Sequence, residues 1–586
     1  MPVDAIVGVA MTRPRPATIP RGTADVVVAL VLTAATAALF ATTLGHGWVD
    51  FDDPRNFLGN PHYRGLGPTQ LRWMLTAVVM GHWTPLTWLT HGLDYVLWGM
   101  NPAGYHLGNV VLHAANAALF FVLARRLLAT ARPDAAPTPV RLGALAAALL
   151  FALHPLRVES VAWITERRDV LAALLYLLTA LAWLRATAAE GPARRRWYLG
   201  SLALFALGLL SKSMLVSLPL VLLVLDVYPL RRLDPRAWRA AAARRVLLEK
   251  VPYLLLAATA VAITSLTMRA SLPVTPLDLY PPLARVAMAA YSLAFYPWRT
   301  VAPVDLRPMY ELPGRVSLLE PPFLPAALAV AGVTLALLAA RRRWPAGLAV
   351  WLAYAITLAP VSGLVHAGPQ LVADRFSYLP SLGLCLLLGA GVTWAVERPT
   401  LGRVMIAVVA TWIVWLAAMT WWQVQIWRDT DTLFTYTLTV DPDCAWCHAQ
   451  YGSSLGNRGD LTAAIPHLQR AVELRPRSFS AQANAGLAYL RAGRAADALP
   501  FLERAAAMRP GSFNAAANLG LALVALDRAA DAIPHLQRAR AARPDAPEPR
   551  LGLARAYTRL GRPHDAAEHH RALEHLEAAR AGRPAP

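Results

Sequence analysis

The chain has 586 residues, of which 56% are apolar and only 16% are charged, and its mean hydropathy is +0.39. A soluble protein of this size needs more charge to cover its surface, so the composition predicts a membrane protein. Three cysteines exclude a disulfide-stapled secreted scaffold. The net charge of +20 comes from 54 arginines and two lysines set against 36 acids, and its meaning depends on where the arginines lie.

The first apolar run covers residues 24–44 and follows a polar, basic segment at 1–23. About 20 residues suffice for a helix to cross a bilayer. No small-residue cleavage pattern closes the run, so we interpret it as a retained signal anchor with a cytoplasmic N-terminal segment. Eleven further apolar runs follow, at 104–124, 142–153, 169–184, 197–211, 213–230, 251–268, 283–298, 323–340, 344–360, 378–396 and 402–423.

The arginines test this set of twelve runs, because cytoplasmic loops of membrane proteins carry an excess of Lys and Arg. With the N-terminus inside, five clusters are cytoplasmic if 283–298 does not cross: 125–126, 194–196, 231–250, 341–343 and 398–403. The pattern predicts a polytopic helix bundle of about eleven spans over 24–430. The C-terminal region is then outside, together with the segments 45–103, 154–168, 269–322 and 361–377. Most of the surplus charge orients the chain, so no nucleic-acid partner is predicted.

From about residue 440 the chain is Ala-rich and amphipathic, and it repeats every 34 residues. Proline recurs at 442, 476, 510 and 544, glycine at 452, 486 and 520, and leucine at 468, 502 and 536. This period, with small residues where two helices cross, is typical of tetratricopeptide repeats. We predict an α-solenoid over 431–586, with three full repeats and a degenerate cap, whose groove binds a polypeptide. A passive spacer or a dimerisation arm is the alternative.

Three acids, Asp50, Asp52 and Asp53, lie just beyond the first apolar run. A surface turn accommodates them, but acids are scarce in this chain. A carboxylate at the membrane surface can act as general base on an incoming hydroxyl or bind a metal ion. No complete set of metal ligands is visible, so a divalent cation stays an open alternative and no cofactor is predicted.

Polar side chains also occur within and beside the apolar runs. A zinc site is not expected, because no cysteine or carboxylate stands at metal spacing from the histidines. Polar groups inside a membrane domain line cavities or bond to neighbouring helices. We expect a cavity lined by His82, His106, Asn109, His113, His154 and Glu159.

We single out five basic residues on the predicted outer side, against the rule that the dense arginine clusters obey. They are Arg157, Arg167, Arg168, Lys212 and Arg375. Snorkelling towards lipid headgroups explains each of them singly. A phosphate bound at the membrane surface explains the set.

The string Cys444-Ala-Trp-Cys447-His448 matches the site to which c-type haem is attached. The same residues are in register with the first repeat. We therefore expect a local disulfide or two packed thiols there rather than haem.

Several strings together resemble one family: Asp52-Asp53 with Asn60, Pro85-Leu-Thr, Asn101-Pro-Ala-Gly-Tyr-His-Leu-Gly-Asn109, His154-Pro with Glu159, Glu166 to Leu171, Ser211-Lys212, and Ala373 to Pro380. In this order, and followed by the repeats, they resemble the transmembrane and tetratricopeptide-repeat (TMTC) proteins. These are membrane glycosyltransferases of the GT-C superfamily.

The resemblance implies an all-α, GT-C-like enzyme with its active site on the outer face. Such an enzyme moves a sugar, with inversion, from a polyprenyl- or dolichyl-phosphate carrier to a hydroxyl, and Asp52 or Asp53 would be the base. The carrier phosphate would be bound by Arg375, with Arg167, Arg168 and Lys212 as further candidates. The eukaryotic members mannosylate Ser or Thr of proteins, so we expect a hexose donor and a protein acceptor held by the repeats.

The chain departs from these members at Thr84, where a basic residue is expected, and this leaves the sugar and the acceptor open. Two other functions also fit the sequence: a non-enzymatic scaffold for envelope assembly, and a transporter of lipid-linked sugars. The Arg-rich, Lys-poor composition indicates a bacterial protein. The predicted location is therefore the inner membrane, with the repeats in the periplasm.

Overall fold

The computed structural model describes residues 22–271, 280–365 and 368–581. They are nearly all helical, which confirms the predicted all-α fold class. The chain divides into two compact units between Asp429 and Thr430. Of the predicted N-terminal segment 1–23, residues 1–21 lie outside the described part of the chain.

The first unit contains sixteen α-helices within its described residues: α1 (Thr23–Phe40), α2 (Pro68–Thr76), α3 (Pro85–Trp98), α4 (Pro102–Ala131), α5 (Pro137–Ala152), α6 (Val158–Ala162), α7 (Arg167–Ala188), α8 (Gly191–Leu209), α9 (Leu218–Val227), α10 (Ala241–Leu248), α11 (Val251–Ser271), α12 (Pro282–Val301), α13 (Phe323–Ala340), α14 (Pro345–Leu358), α15 (Ser381–Val396) and α16 (Pro399–Ile426). Seven of these helices begin with proline, whose fixed φ suits the first turn and whose missing N–H is not needed there.

Six segments of the described chain are long and apolar enough to cross a membrane: Thr23–Gly45, Pro102–Ala131, Ile164–Ala188, Ala241–Arg269, Phe323–Ala340 and Pro399–Ile426. The pair Pro137–Ala152 and Pro155–Ala162, bent by 57°, adds a seventh if it forms one span. The predicted number of eleven is not confirmed. The remaining predicted spans correspond to α8 and to three shorter apolar helices, and α12, which covers the run 283–298, is not among the six.

The centre of the first unit is built from α4, α5, α7 and α15. Gly143 of α5 and Gly389 of α15 lie so close that a Cβ on Gly389 would be 2.6 Å from the Gly143 carbonyl oxygen. Small residues of this kind let apolar helices pack backbone against backbone in a membrane. Because α4 packs between α1, α5 and α7, its polar side chains face protein.

Two short strands connect distant loops of the first unit. β1 (Tyr310–Glu311) and β2 (Gln370–Val372) pair antiparallel, with Tyr310 opposite Val372. The Tyr310 hydroxyl donates a hydrogen bond of 2.9 Å to Asp374 Oδ1. The pairing therefore fixes the start of the turn that contains Arg375.

The second unit begins with α17 (Thr430–Val440) and continues as four helix pairs: α18 (Ala445–Asn457) and α19 (Leu461–Leu474), α20 (Phe479–Arg491) and α21 (Ala495–Met508), α22 (Phe513–Ala525) and α23 (Ala529–Ala542), α24 (Pro547–Arg559) and α25 (Pro563–Ala581). These pairs confirm the predicted repeat architecture.

The 34-residue pattern has a packing cause at the point where the two helices of a repeat cross. A Cβ on Gly452, Gly486 or Gly520 would lie 2.7, 2.5 or 2.5 Å from side-chain atoms of the leucine sixteen residues later. That leucine, at 468, 502 and 536, is fully buried. Glycine and leucine therefore recur together because the leucine fills the space that a side chain would need.

Cys444 and Cys447 form a disulfide at the start of α18, and both side chains are buried. This is the first of the two arrangements expected from the sequence, and it leaves neither sulfur free for haem attachment. Cys385 of α15 is a buried free thiol.

Candidate functional site

Five segments of the first unit converge on one polar site. They are the loop after α1 (46–60), the turn before α3 (79–84), the turn into α7 (163–168), residues 211–212, and the turn 373–377. The segments come from widely separated parts of the chain. Their side chains meet through the contacts described next.

Asp53 is the more buried of the two adjacent aspartates, with 1% of its surface exposed. The Val49 N–H donates to Oδ2 at 3.0 Å, and Trp163 Nε1 and Thr165 Oγ1 donate to Oδ1 at 3.0 and 2.8 Å. Burial raises the pKa of Asp53 to about 7, although these three donors oppose the rise. Asp53 thus joins the loop after α1 to the turn into α7.

Asp52 differs from its neighbour because it is only partly buried and no described residue donates a hydrogen bond to its carboxylate. Burial raises the pKa of Asp52, and the guanidinium charges of Arg168 and Arg375 oppose that rise. The carboxylate therefore lies within electrostatic range of two cations, in a residue that is partly exposed. A general base for a bound hydroxyl needs this combination.

Glu166 connects three basic side chains at the centre of the site, and its own side chain is fully buried. Arg168 donates to both carboxylate oxygens, from Nη2 at 2.5 Å and from Nε at 3.0 Å. Lys212 Nζ donates to Oε2 at 3.3 Å, and Arg375 Nε lies 3.3 Å from Oε1. One buried carboxylate therefore holds cations from three separate segments.

Arg168, Lys212 and Arg375 form what we call the cation cluster. Their side chains are 18, 14 and 10% exposed, whereas the acids that hold them are 0 to 4% exposed. Asp169 holds Lys212 in an ion pair, and Glu159 accepts from both the backbone N–H of Arg375, at 2.8 Å, and its guanidinium. The acids thus lie behind the cluster, and its accessible side is positive.

Two of the predicted cavity residues are near the cation cluster: Glu159, which bonds to Arg375, and His82, which lies within electrostatic range of Arg168 and Lys212. Burial, together with the charges of Arg168 and Lys212, lowers the pKa of His82 to about 3. Its imidazole is therefore neutral at physiological pH. The Thr87 hydroxyl bonds to the Ser211 carbonyl at 3.1 Å, and this contact places the start of α3 beside Lys212.

Arg167 lies apart from the cation cluster, although it precedes Arg168. Its guanidinium is 2.9 Å from Asp94, donates to the Tyr105 carbonyl at 2.6 Å and bonds to the Asn109 side chain. Only 3% of its side chain is exposed. The structure therefore gives Arg167 contacts with α3 and α4 rather than with the cluster.

The other predicted cavity residues are buried between helices. Asn109 donates to the carbonyls of Val161 and Trp163, and His113 bonds to Tyr378 at 2.6 Å. His154 bonds to the Thr300 carbonyl at 3.0 Å. His106 packs edge-on against His46, with neither ring nitrogen bonded. Polar groups inside a membrane domain were expected either to line a cavity or to bond to neighbouring helices. The contacts of Asn109, His113 and His154 are of the second kind.

The residues present do not fit a divalent metal ion. Both oxygens of Asp53 already accept hydrogen bonds, which leaves the Asp52 carboxylate as the only free oxygen ligand of the pair. Among the described residues, no group of three or more His, Cys, Asp or Glu side chains is arranged to bind a metal. The positive charges that act on Asp52 are those of arginines, and the carboxylate of Glu166 is also within electrostatic range.

Four residues of the site have no assigned role in the prediction from sequence: Trp163, Thr165, Glu166 and Asp169. Glu166 and Asp169 flank the Arg167-Arg168 pair. Acids next to basic residues on the predicted outer side are the sequence signal by which these two acids could have been found. No sequence feature marks Trp163 or Thr165 as a partner of Asp53, because the contacts span more than 100 residues.

Two family models of the tetratricopeptide repeat match the second unit, over residues 452–513 and 523–574. The solved structure of MamA residues 41-end from Desulfovibrio magneticus RS-1 is 26% identical, over 25% of this chain and 83% of that one, with a TM-score of 0.24.

Curated proteins are also similar to this chain. The protein O-mannosyl-transferase Tmtc1 of Drosophila melanogaster is 39% identical over 155 residues, which are 25% of this chain and 17% of that protein. The human protein O-mannosyl-transferase TMTC1 is 26% identical over 517 residues, which are 79% of this chain and 57% of that protein. The chain thus spans little more than half of the human relative's own length and a smaller share of the Drosophila one. Over much of its length the chain is thus similar to TMTC protein O-mannosyl-transferases, and its end contains tetratricopeptide repeats.

Proposed function

We propose that this chain is an integral-membrane glycosyltransferase that moves a hexose, such as mannose, from a polyprenyl-phosphate carrier to a Ser or Thr hydroxyl of a protein. The reaction would occur on the periplasmic face of a bacterial inner membrane. One observation supports it above the others: the carboxylate of the partly exposed Asp52 lies within electrostatic range of Arg168 and Arg375. The names of the relatives support the protein acceptor.

The proposed step is a single inverting displacement. The acceptor oxygen attacks the anomeric carbon, its proton passes to Asp52, and the bond from that carbon to the phosphate oxygen breaks. The phosphate leaves with the bonding electron pair. The raised pKa of Asp52 makes its carboxylate a stronger base than an exposed aspartate.

The cation cluster is the group that would stabilise the departing phosphate. Its three side chains are held from behind by buried acids, so they need little reorganisation when negative charge develops. Two guanidinium groups and an ammonium suit phosphate oxygens. The neutral imidazole of His82 would add a polar wall without adding charge.

The repeats would bind the acceptor polypeptide. A groove of about 630 Å³ lies in the second unit, with Leu519 and Leu523 in its apolar part and Arg528 and Arg538 among its polar residues. Most of its lining residues are on α21 and α23, the second helices of two successive repeats. Tetratricopeptide superhelices present extended concave surfaces for binding. The Arg528–Asp531 ion pair at 2.8 Å leaves Arg538 as the less restrained cation of this groove.

The test is a transfer assay on the purified full chain with radiolabelled polyprenyl-phosphate mannose and a Ser/Thr-rich acceptor protein. Asp52→Asn is expected to abolish transfer while the melting temperature stays within a few degrees of wild type. Asp50→Asn, which makes the same change two residues away, is the matched control and should retain transfer. Wild-type rates in Asp52→Asn would contradict the assignment of the base.

A further inference from the structure

The loop between α9 and α11 has a charge pattern that the proposed reaction does not use. Residues 231–245 contain six arginines and one acid, and Trp238 in their middle is 56% exposed. Five of these arginines are exposed and have no ion-pair partner among the described residues: Arg231, Arg236, Arg239, Arg244 and Arg245.

The sixth arginine differs from the other five because it belongs to an ion-pair network. Arg232 bonds to Asp226 and to Glu249, each at 2.6 Å. Lys250 Nζ lies 2.6 Å from the other oxygen of Asp226 and 4.9 Å from the Trp183 ring centre. This buried network joins the end of α9 to the start of α11 and occupies the two acids nearest the loop.

The length of the following helix indicates where the loop lies. Segment Ala241–Arg269 is 29 residues long, or about 43 Å, whereas the hydrocarbon core of a bilayer is about 30 Å thick. Its last two-thirds, α11, are apolar, and its first two turns, α10, contain Arg244 and Arg245. The excess length therefore places α10 in the headgroup layer, where Trp and Arg side chains are most stable.

We infer that residues 231–245 form a binding surface for anionic phospholipid headgroups of the adjoining leaflet. The arginines supply charge complementary to lipid phosphates, and Trp238 can enter the boundary between headgroups and acyl chains. Arg239 packs over the Trp238 ring at 4.8 Å, so a cation and an aromatic anchor form one unit. The surface is independent of the proposed reaction, since it shares no residue with the cation cluster.

The test uses the full chain purified in a neutral detergent and titrated with phosphatidylglycerol or with phosphatidylcholine of the same acyl chains. Native mass spectrometry counts the lipids that the protein retains. We expect wild type to prefer phosphatidylglycerol. Replacing the four arginines at 236, 239, 244 and 245 by glutamine should reduce that preference, by about fivefold for each arginine that contacts a headgroup.

Two variants control for charge and folding. Replacing the exposed arginines at 477, 504, 555 and 571 by glutamine makes the same change in net charge and should leave the preference intact. Replacing the four loop arginines by lysine keeps their charge and should retain most of the preference for phosphatidylglycerol.

Three results would overturn the inference. They are an undiminished preference in the glutamine variant of the loop, an equal loss in the matched control, and displacement of the lipid by free glycerophosphoglycerol as readily as by intact phosphatidylglycerol. The last result would identify a site for soluble phosphate esters instead of a lipid surface.

Discussion

Trp163 Nε1 donates a hydrogen bond of 3.0 Å to Asp53 Oδ1, joining residues that are 110 positions apart in the chain. Thr165 adds a second bond to the same oxygen at 2.8 Å. The turn that begins at Trp163 continues into Glu166 and Arg168. We therefore expect Asp53 to act as a positioning residue for the cation cluster, with Asp52 as the partly exposed carboxylate.

Substitutions of Asp52 and Asp53 should differ in their effect on the free energy of unfolding. Asp53→Ala leaves three buried donors without their acceptor, and we expect it to lower the free energy of unfolding by about 3 kcal/mol. Asp52→Ala removes no described hydrogen bond and should lower it by less than about 1 kcal/mol. Thermal unfolding of both variants in detergent checks the difference. Equal destabilisation would contradict the positioning role of Asp53.

Glu166→Gln tests whether the buried acid behind the cation cluster matters for the reaction. The substitution removes the charge that holds three cations, so it should destabilise the first unit by about 3 kcal/mol. The more positive cluster should still bind the donor phosphate, but in a displaced position. We therefore expect kcat to fall at least about tenfold while KM for the donor does not rise.

The control for Glu166→Gln is Glu397→Gln, which removes the acid from a surface ion pair with Arg132 at 2.7 Å. Exposed pairs contribute about 0–1 kcal/mol, so neither stability nor kcat should change much. A raised donor KM with unchanged kcat in Glu166→Gln would show that the acid affects only binding.

The sequence predicts local and periodic features of this protein well. The apolar run 24–44 and the segment Thr23–Gly45 nearly coincide, and the glycine–leucine period predicts the helix pairs of the second unit. Both patterns depend on neighbours within one helix or one repeat. Short apolar helices are harder to assign, because length alone does not distinguish a broken span from a buried helix.

The roles of adjacent residues could not be predicted from the sequence. Arg167 and Arg168 are neighbours at the start of a helix, where successive side chains point about 100° apart. Arg167 therefore reaches Asp94 on α3, while Arg168 reaches Glu166. The side chains of Asp52 and Asp53 also differ in their contacts. The partners that distinguish each pair lie on other segments, and a single sequence does not indicate which segments meet.

A pair of histidines in the first repeat should make its stability depend on pH. His448 Nδ1 lies 2.9 Å from His467 Nδ1, and His448 Nε2 lies 3.1 Å from the Pro442 carbonyl oxygen. His467 therefore donates to His448, and the pair cannot take up two protons without losing this bond. Burial lowers the pKa of both histidines.

Because these pKa values are lowered on folding, the unfolded chain binds more protons as the pH falls below about 6.5. The stability of the first repeat is then complete above that pH and decreases below it. His467→Phe, which copies Phe501 at the same position of the next repeat, should remove part of this dependence. The stability of the repeat is measured by hydrogen–deuterium exchange at about pH 7.5 and 5.5, on peptides from 445–474 in the full chain. A wild-type repeat equally protected at both values would contradict the prediction.

The orientation of the chain in the membrane is the remaining prediction. The arginines of 231–245 should be cytoplasmic, because short loops rich in Arg stay on that side. A reporter that is active only in the periplasm should therefore be inactive when fused near residue 196 or 240 and active when fused after residue 430. Truncated fusions after each of the six apolar segments and after the bent pair would count the spans directly. An inactive reporter after residue 430 would place the repeats in the cytoplasm and contradict their proposed contact with a periplasmic acceptor.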